Sequence, residues 1–494
     1  MAVFKGDKVY PTGFFDNCSH VGEIPMTIPM VFNGVLDGDK LHRALSRLME
    51  LGDWGKLGGR IRKGNGKGVI FDIHVPQPFT EDRPAVKYYK KTFNMNIKDH
   101  PLAKQLPTIT EHASLQKGFH DFEPLIRHPD APDSFKELLK TDSPITWLYI
   151  VSFNDATIVT LGVLHMLVDA GSIEAILRAW TLVLAGKEDQ VPPLLGASED
   201  ILYPLSKQPD EKGRQRFPFE KLYLSTFGLI LFFIRWFWLN FTTTTLTRTL
   251  YLPAARVAQL KAEAREDIAL EYRGKEIVPW VSEGDVLQAW TVRMSSLAQS
   301  SPRHISCLTM VNLRRRIPEL LEAKGDYIQN LIVPLFTSFT PEAARGPLGL
   351  AALKIRETLN QQATALYLLD YIRWVREKWE AGKAVSGGMV RPYNCELVPM
   401  SNWVQMNLLR TVDFSPALIK GVVPQSGNKT TSAGSPTYVM PGAWRDMSNL
   451  RGVWIVTGRD SDGNVWMSCY MTPAIAKVVE QEIASWDAVK PTQQ

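Results

Sequence analysis

Two consecutive strand-like runs that end at a histidine constrain the fold of this chain more than any other feature. Residues 147–153 and 156–164 are rich in β-branched and aromatic residues, and the polar pair Asn154-Asp155 separates them. Runs of this composition around a two-residue turn predict a buried β-hairpin. The second run ends directly at His165, so we expect a sheet with a histidine at the end of one strand.

Helical and strand-like patterns both recur along the rest of the chain. Apolar residues from Ile173 to Leu184 repeat at helical spacing, with Ser172 as a candidate N-cap. Similar patterns predict strands at 25–35, 306–312, 452–460 and 465–471, and helices at 252–266, 284–296, 348–379 and from Pro473 onward. The 494 residues are too many for one ordinary core. We therefore expect an α/β or α+β protein of two domains, with a ligand site at their interface.

Several common classes of protein are not expected from this composition. The net charge of +5 is small for the length and is not clustered, which argues against a nucleic-acid-binding protein. The four cysteines are far apart and form no disulfide framework or zinc motif. The sequence lacks GxSxG, HExxH and GxGxxG motifs, which argues against a serine hydrolase, a metal enzyme and a nicotinamide enzyme. The glycine-rich stretch 64–68 lacks the Lys-Ser/Thr of a nucleotide loop and predicts a hairpin turn.

The sequence does not decide where one apolar segment, Phe227 to Phe241, lies in the fold. It contains Arg235 and is shorter than the roughly 20 residues that a membrane-spanning helix needs. A core helix, a pocket wall and an interfacial helix that contacts a membrane peripherally all fit, and the length favours core or pocket. A polar stretch at 186–216 precedes it. We place the boundaries at 1–205 for an N-terminal domain, 206–245 for a linker and apolar crossover segment, and 246–494 for a C-terminal domain.

His165 and Asp169 form the only HxxxD pair in the sequence. An imidazole at a strand end can take a proton from an alcohol near neutral pH, because its unperturbed pKa is about 6.5. Asp169 could bond to that imidazole, or it could turn away and tie the loop to a cation. A core histidine followed by a helix-capping aspartate fits these residues equally well. The basic run 314–316 has three interpretations: a solvated turn, a phosphate contact and a salt bridge.

An ordered series of short motifs resembles the BAHD superfamily of coenzyme-A-dependent acyltransferases, in a form similar to fungal secondary-metabolite O-acetyltransferases. The stretch GVLHMLVDAGS at 162–172 resembles the family's HxxxDG motif. The other matches fall in the family's order: LGGRIRK at 57–63, EGDVLQAW at 283–290, VNLRRR at 311–316, YIQN at 327–330, SNWVQMN at 401–407 and VDFS at 412–415. Each match is weak by itself, but their order across most of the chain makes the resemblance specific.

The resemblance implies a fold of two chloramphenicol-acetyltransferase-like domains. Each domain would be a mixed sheet flanked by helices, and the active site would lie at their interface. His165 would deprotonate the acceptor hydroxyl, which attacks the thioester of an acyl-CoA. Ser401 and Trp403 would donate hydrogen bonds to the oxyanion, where one fixed donor can be worth roughly 3 kcal/mol. No metal, covalent intermediate or bound cofactor is implied, and acetyl-CoA would be a co-substrate.

A salt bridge would support this site, according to the same resemblance. Asp169 would be structural and would point away from the histidine toward an arginine. Arg314 is the first candidate for that arginine and Arg316 is the second. Asp413, at the start of the segment that corresponds to the family's DFGWG motif, is a further expected salt-bridge residue.

Three departures from the family pattern are visible. Ala170 stands where the family often has Gly, and Asn312 replaces the usual Asp. Of DFGWG only Asp413-Phe414 remains, followed by Ser415-Pro416. Because this motif is mostly structural in the family, its loss puts the local loop and CoA docking in doubt more than the chemistry.

Three functions follow as hypotheses. The first is transfer of an acyl group, from acetyl-CoA, to a hydroxyl of a hydrophobic secondary metabolite such as a terpenoid, an alkaloid or a polyketide, by a cytoplasmic monomer without a secretory signal. The second is a condensation-like enzyme that takes its acyl group from a carrier protein. The third is a catalytically silent, membrane-associated binding protein with the same fold. Binding of free CoA separates the first from the others.

Overall fold

The structure is a computed structural model that describes residues 4, 6–17, 24–64, 71–132, 134–207, 220, 223–382, 393–421, 434–443 and 450–488. Cys18, positions 65–68 of the predicted hairpin turn and much of the predicted linker (208–219 and 221–222) lie outside the described residues. The strands are β1 (Lys8–Pro11), β2 (Pro25–Phe32), β3 (Gly34–Leu36), β4 (Arg60–Lys63), β5 (Phe71–Val75), β6 (Lys87–Thr92), β7 (Ser114–Lys117), β8 (Thr146–Ser152), β9 (Thr157–Leu164), β10 (Leu194–Leu195), β11 (Leu246–Leu252), β12 (Ile305–Asn312), β13 (Asp326–Tyr327), β14 (Ile332–Phe339), β15 (Glu396–Asn402), β16 (Leu418–Gly421), β17 (Tyr438–Val439), β18 (Gly442–Ala443), β19 (Trp454–Arg459) and β20 (Val465–Met471). The helices are α1 (Phe14–Asn17), α2 (Gly38–Leu48), α3 (Glu123–Ile126), α4 (Phe135–Lys140), α5 (Ala170–Leu184), α6 (Leu202–Ser206), α7 (Thr226–Thr242), α8 (Ala254–Glu271), α9 (Glu283–Leu297), α10 (Pro318–Leu321), α11 (Pro341–Arg345), α12 (Leu348–Gln362), α13 (Ala365–Glu380), α14 (Leu408–Thr411) and α15 (Pro473–Ala488).

The first large sheet forms around the predicted hairpin. Its strand order is β17-β2-β9-β8-β6, and β18 also pairs with β2. Strands β8 and β9 pair antiparallel from Thr146↔Val163 to Ser152↔Thr157, which confirms the hairpin. Every residue of β2 and β9 is buried. Most of their apolar side chains share one core cluster with those of α2 and α5, so this sheet and its helices support the loop that begins at His165.

The second large sheet has the order β14-β12-β15-β19-β20-β11-β7. Strand β15 runs parallel to both of its neighbours, β12 and β19, while β14 pairs antiparallel with β12. Apolar residues of α8, α9, α12 and α15 form a second core cluster with this sheet. Because β12 and β15 are parallel, the loops that follow them leave the sheet at the same edge.

Each large sheet takes strands from the other half of the sequence. Strand β7 pairs with β11 in the second sheet, and β17 and β18 pair with β2 in the first. The fold is therefore mixed α/β with two sheets flanked by helices, as the sequence predicted. The boundaries at 1–205, 206–245 and 246–494 divide the sequence into two halves and a linker. They do not divide one sheet from the other, because β7, β17 and β18 each pair with the sheet of the other half.

The long helix predicted over 348–379 is two helices. α12 ends at Gln362, and α13 begins after Thr364, whose backbone is extended and whose hydroxyl accepts a hydrogen bond from Tyr367 N at 3.3 Å. The Gln362 side chain bonds to the backbone of Phe336 through its Oε1 (3.0 Å) and Nε2 (3.2 Å). Sheet contacts thus fix the end of α12, which helical periodicity alone cannot reveal.

The apolar segment forms α7, and the prediction that it lies in the core was wrong. Within α7 only Gly228 and Phe232 are buried. Arg235 fixes one side of the helix to the protein, because Nη1 donates to Cys395 O at 2.8 Å and Nη2 lies 3.1 Å from Glu396 Oε2. The other side faces outward. In the described part of the chain, no helix combines the length and the apolar character that crossing a bilayer requires.

Candidate active site at the edge of two parallel strands

His165 lies at the end of β9, and its backbone is held on both sides. Its N–H donates to Ile24 O at 2.9 Å, and its carbonyl accepts from Asn330 Nδ2 at 2.8 Å. The side chain is partly exposed. Burial lowers the pKa of the imidazole, while a hydrogen bond to the residue's own backbone, the Asp169 charge and the Asn330 amide oppose the shift. The ring is therefore neutral at pH 7 and can act as a base.

The backbone carbonyl of His165 lies close enough to the imidazole to favour its protonated form. In a neutral imidazole one ring nitrogen carries the proton and the other is unprotonated, so the second can take a proton from a bound alcohol. Asn330 holds the same carbonyl, so it positions the imidazole indirectly.

Asn330 is itself held by a buried carboxylate that sequence reasoning missed. Asp16 Oδ1 accepts from Asn330 N at 3.0 Å and from Asn330 Nδ2 at 2.9 Å. The same amide nitrogen also donates to Met166 O at 3.1 Å. Burial raises the pKa of Asp16 to about 7, against the hydrogen bonds from Asn330 and the charge of Lys56. Only the YIQN match pointed to Asn330, and no sequence signal marked Asp16.

Asp169 is the N-cap of α5, which corrects the prediction that Ser172 caps this helix. Asp169 Oδ1 accepts from Ser172 N at 2.8 Å and from Ser172 Oγ at 2.9 Å, so Ser172 is the N3 residue of a capping box. Oδ2 accepts from Arg314 Nη1 and from Leu331 N, both at 2.8 Å. Both oxygens are thus bonded to groups other than the imidazole, and the carboxylate is fully buried.

The charge of Asp169 is balanced by these contacts. Burial alone would raise the pKa of Asp169, but the Arg314 charge and the hydrogen bonds from Arg314, Leu331 and Ser172 outweigh burial and lower it. The carboxylate is therefore ionised at neutral pH. A buried ion pair with every lone pair bonded stabilises one geometry, and losing one partner would leave an uncompensated charge.

Arg314 ties this helix start to the second sheet. Besides Asp169, its Nη2 donates to Ser172 Oγ at 3.0 Å and to the carbonyls of Tyr327 and Gln329, both at 2.9 Å. Gly171 leaves room for the guanidinium, since a Cβ there would lie 2.9 Å from Arg314 Nη1. The second candidate, Arg316, instead makes a long contact of 3.4 Å from Nη1 to Asn312 O.

Asp413 does not join this salt bridge. Its Oδ1 accepts from Ser415 N at 3.0 Å and from Ser415 Oγ at 2.5 Å, and among the described residues it forms no ion pair. The expectation of a salt bridge at Asp413 is corrected, because the exposed carboxylate closes a local turn. Phe414 is the buried part of the motif and packs on Phe32 and Trp180 at ring-centroid distances of 5.5 and 4.6 Å.

Ser401 and Trp403 lie at the end of β15 and bond to each other. Trp403 Nε1 donates to Ser401 Oγ at 2.8 Å. Ser401 is partly exposed, and Trp403 is buried in the core cluster that also contains Met166 and Leu167. The serine hydroxyl proton stays available, because its oxygen is the acceptor in this bond.

Three links bring these groups to one edge of the molecule. Strand β12 leads to Arg314, which binds Asp169, and the parallel strand β15 leads to Ser401 and Trp403. Arg315 Nη1 donates to Gln405 Oε1 at 2.9 Å and so joins the two loops directly. A short 3-10 helix, Val404–Met406, also contacts α5. The loop that begins at His165, the Asp169–Arg314 salt bridge and the strand end that carries Ser401 are thus joined at one edge of the molecule.

A family model decides the identity of the chain. The model described as "Transferase family" matches residues 131–457. The chain belongs to this family, the BAHD acyltransferases. Known relatives of this BAHD acyltransferase support the same family. The chain is 31% identical over 477 residues to acetyltransferase pyiB of Pyricularia grisea, and the match covers 95% of this chain and 92% of the relative. It is 31% identical over 505 residues to acetyltransferase BOT5 of Botryotinia fuckeliana, covering 97% and 91%.

Solved structures match the fold of this BAHD acyltransferase over its whole length. The crystal structure of TRI101 from F. sporotrichioides, complexed with coenzyme A and T-2, superposes with a TM-score of 0.68 at 14% identity. That match covers 98% of this chain and 99% of the other. Vinorine synthase matches with a TM-score of 0.54, also at 14% identity, covering 98% and 95%. These likenesses establish the fold, and the chain is an acyltransferase by its family.

Proposed function

We propose that this acyltransferase moves an acetyl group from acetyl-CoA to a hydroxyl of a hydrophobic secondary metabolite, such as a terpenoid, an alkaloid or a polyketide. The relatives pyiB and BOT5 are named acetyltransferases, which supports the acetyl donor. The TRI101 structure holds coenzyme A together with T-2, which supports a CoA thioester and a small acceptor. The observation that carries the chemistry is the position of His165 at the end of β9, where Asn330 Nδ2 holds its carbonyl at 2.8 Å and Asp169 bonds to Ser172 and Arg314, which leaves the imidazole for a substrate.

In the proposed reaction His165 is the general base. Its unprotonated nitrogen takes the proton of the acceptor hydroxyl while the oxygen attacks the carbonyl carbon of the thioester. The tetrahedral intermediate then expels the thiolate of CoA, which takes the proton back from His165. The acetyl ester and CoA are the products. Asp169 takes no part in proton transfer, because all its described contacts point to Ser172, Arg314 and Leu331.

Ser401 is the proposed direct donor to the oxyanion, and Trp403 acts through it. The indole N–H is engaged by Ser401 Oγ, so the hydroxyl proton of Ser401 is the group free to point at the oxyanion. A donor that is itself hydrogen-bonded is polarised and fixed in direction. Preorganised donors of this kind lower the barrier because they need no reorientation during the reaction.

The proposal extends to the cellular setting. We propose a cytoplasmic monomer. The free, buried thiols of Cys307 and Cys469 fit that location, since free thiols are typical of a reducing compartment. Peripheral membrane contact would come from the segment 227–241 and is independent of the chemistry at His165.

The test is release of free thiol from acetyl-CoA in the presence of a panel of apolar hydroxylated metabolites. We expect acceptor-dependent release by the wild type and a loss of about 10²–10⁴-fold in kcat for His165→Ala, the usual contribution of a general base. His128→Ala is a matched control, because His128 is a partly buried histidine that stacks on Tyr89, outside the site. If the wild type neither binds nor cleaves any acyl-CoA, the donor is wrong, and a carrier-protein donor or a binding role replaces it.

A further inference from the structure

The outward side of α7 is a continuous apolar surface, and we propose that it docks the enzyme on a lipid bilayer. We call these residues the apolar face. Its seven large side chains are 47–87% exposed: Phe227, Ile230, Phe233, Ile234, Phe237, Trp238 and Phe241. The opposite side of the helix holds the buried Gly228 and Phe232 and the tethered Arg235. The helix is thus inverted relative to an ordinary surface helix, which turns its apolar side inward.

The size of the apolar face exceeds what a protein normally leaves in water. A large aromatic side chain has a surface of about 150–250 Å². At the exposed fractions given above, the seven side chains together leave on the order of 800 Å² of apolar surface in contact with water. The largest apolar patch on a typical monomer is about 300–600 Å². Burying such an area is favourable by about 25 cal/mol per Å², so a partner that removes it from water would bind with substantial free energy.

The shape and composition of the apolar face favour a bilayer over a second protein. At about 100° per residue its side chains spread over roughly 140° of the helix surface, and no charged residue lies among them. A rigid partner helix covers a narrower stripe, whereas lipid chains adapt to the whole convex ridge. Phenylalanine and tryptophan dominate the face, and such aromatic rings are favoured at the boundary between lipid headgroups and acyl chains.

The charges beside α7 suit an anionic membrane surface. Arg235 and Arg303 share one carboxylate, Glu396, each at 3.1 Å. Arg451 lies near both Glu396 and Arg235, so three arginines face one acidic side chain. Positive charge next to an inserted apolar helix adds attraction to anionic lipids.

A cleft at the end of α7 supplies a place for a headgroup. The cleft has a volume of about 360 Å³ and is lined by residues 240–245 and Arg451. Arg451 Nη2 donates to Leu239 O, Asn240 Oδ1 and Thr243 O, whereas its Nε is buried and has no hydrogen-bond partner in the described part of the chain. The cleft places the guanidinium of Arg451 beside the ring of Phe241, an arrangement that matches a lipid phosphate above an inserted aromatic ring.

The experiment is flotation of the full-length protein with two kinds of vesicles, phosphatidylcholine alone and phosphatidylcholine mixed with phosphatidylserine. We expect the wild type to float with both and more strongly with the anionic mixture. The double variant Phe237→Ser/Trp238→Ser should lose tenfold or more in partitioning, about 1.4 kcal/mol or more. Ile419→Ser is the matched control, because Ile419 is 68% exposed on β16, which pairs with β3 and not with α7.

Three outcomes would overturn the proposal. The wild type could stay with the unbound protein in both mixtures, or the double variant could float as the wild type does. Sedimentation equilibrium could instead reveal a wild-type dimer that the double variant lacks, in which case a second copy covers the apolar face. Thiol release measured without vesicles reports on the catalytic proposal separately, so failure of one does not imply failure of the other.

Discussion

Trp403 donates its indole N–H to the hydroxyl oxygen of Ser401 over 2.8 Å. The motif resemblance predicts that both residues donate to the oxyanion, whereas this bond engages the Trp403 N–H and leaves the Ser401 hydroxyl as the donor. Their effects on catalysis should therefore depend on each other. A residue that acts only through a second residue has no effect once that second residue is removed.

We expect Ser401→Ala to lower kcat by about 10²–10³-fold and Trp403→Phe by about tenfold, since the first loses the donor and the second loses only its polarisation. The double variant should equal Ser401→Ala alone. Steady-state kinetics of all four proteins complete the cycle. Multiplicative losses in the double variant would mean that Trp403 reaches the oxyanion directly.

The pH dependence of kcat/KM should reflect the environment of His165. Because burial lowers the pKa of the imidazole below 6.5, the base form is present at pH 7, and activity should fall only as pH drops through that lowered pKa. The profile should therefore be flat near neutrality with an acid limb below pH 6.5. A limb centred above 6.5 would contradict the lowered pKa of the imidazole.

Asn330 should act as a positioning residue for His165. Asn330→Ala removes the bond to the His165 carbonyl, so we expect kcat to fall about tenfold with little change in KM. The Asn330 amide also favours the protonated ring, so its loss should move the acid limb to lower pH. The control is Gln329→Ala, since Gln329 Nε2 has no hydrogen-bond partner within the described residues. A lower melting temperature without any change in the pH profile would leave Asn330 only a structural role.

Arg314 should determine the stability of the site. Arg314→Gln leaves the buried Asp169 carboxylate without its cation, and we expect the free energy of unfolding to fall by about 3–5 kcal/mol. Arg316→Gln should cost less than about 1 kcal/mol, because its described contact is a 3.4 Å bond. Urea unfolding of both variants makes the comparison, and equal losses would refute the special role of Arg314.

The same pair predicts an acid limit. The pKa of Asp169 is lowered in the folded state, so its contribution is present above the unfolded value of about 3.9 and is lost as pH falls through the folded pKa. Arg314→Gln should raise that folded pKa, and the loss of stability should then begin at a higher pH. Unfolding measured across acid pH for wild type and variant tests this shift.

Gly171 should tolerate no side chain. A Cβ there would lie 2.9 Å from Arg314 Nη1 and 3.1 Å from Asn312 Nδ2, so Gly171→Ala should cost about 1–3 kcal/mol and reduce activity by moving the guanidinium. Ala170→Gly, at the preceding position, should change stability by less than about 1 kcal/mol. Thermal unfolding and thiol release distinguish the two, and equal behaviour would show that Arg314 has room to move.

The sequence by itself determined the features that depend on neighbours along the chain. It specified the 147–164 hairpin, the mixed α/β class, the HxxxD pair and membership of the acyltransferase family. Each of these follows from local periodicity or from motif order. The motif resemblance also ranked Arg314 ahead of Arg316 as the partner of Asp169, and the fold shows that ion pair at 2.8 Å, whereas Arg316 makes a 3.4 Å contact to Asn312 O.

The tertiary structure alone decided the rest. Asp16 reaches Asn330 across more than 300 residues of chain, the Trp403 indole turns toward Ser401, and α7 presents its apolar side outward although its composition and length favoured burial. No local pattern encodes these outcomes, because they depend on which surfaces meet after the two sheets exchange strands. Burial and the partner of a buried polar group are properties of packing, and packing is set by residues far apart in the sequence.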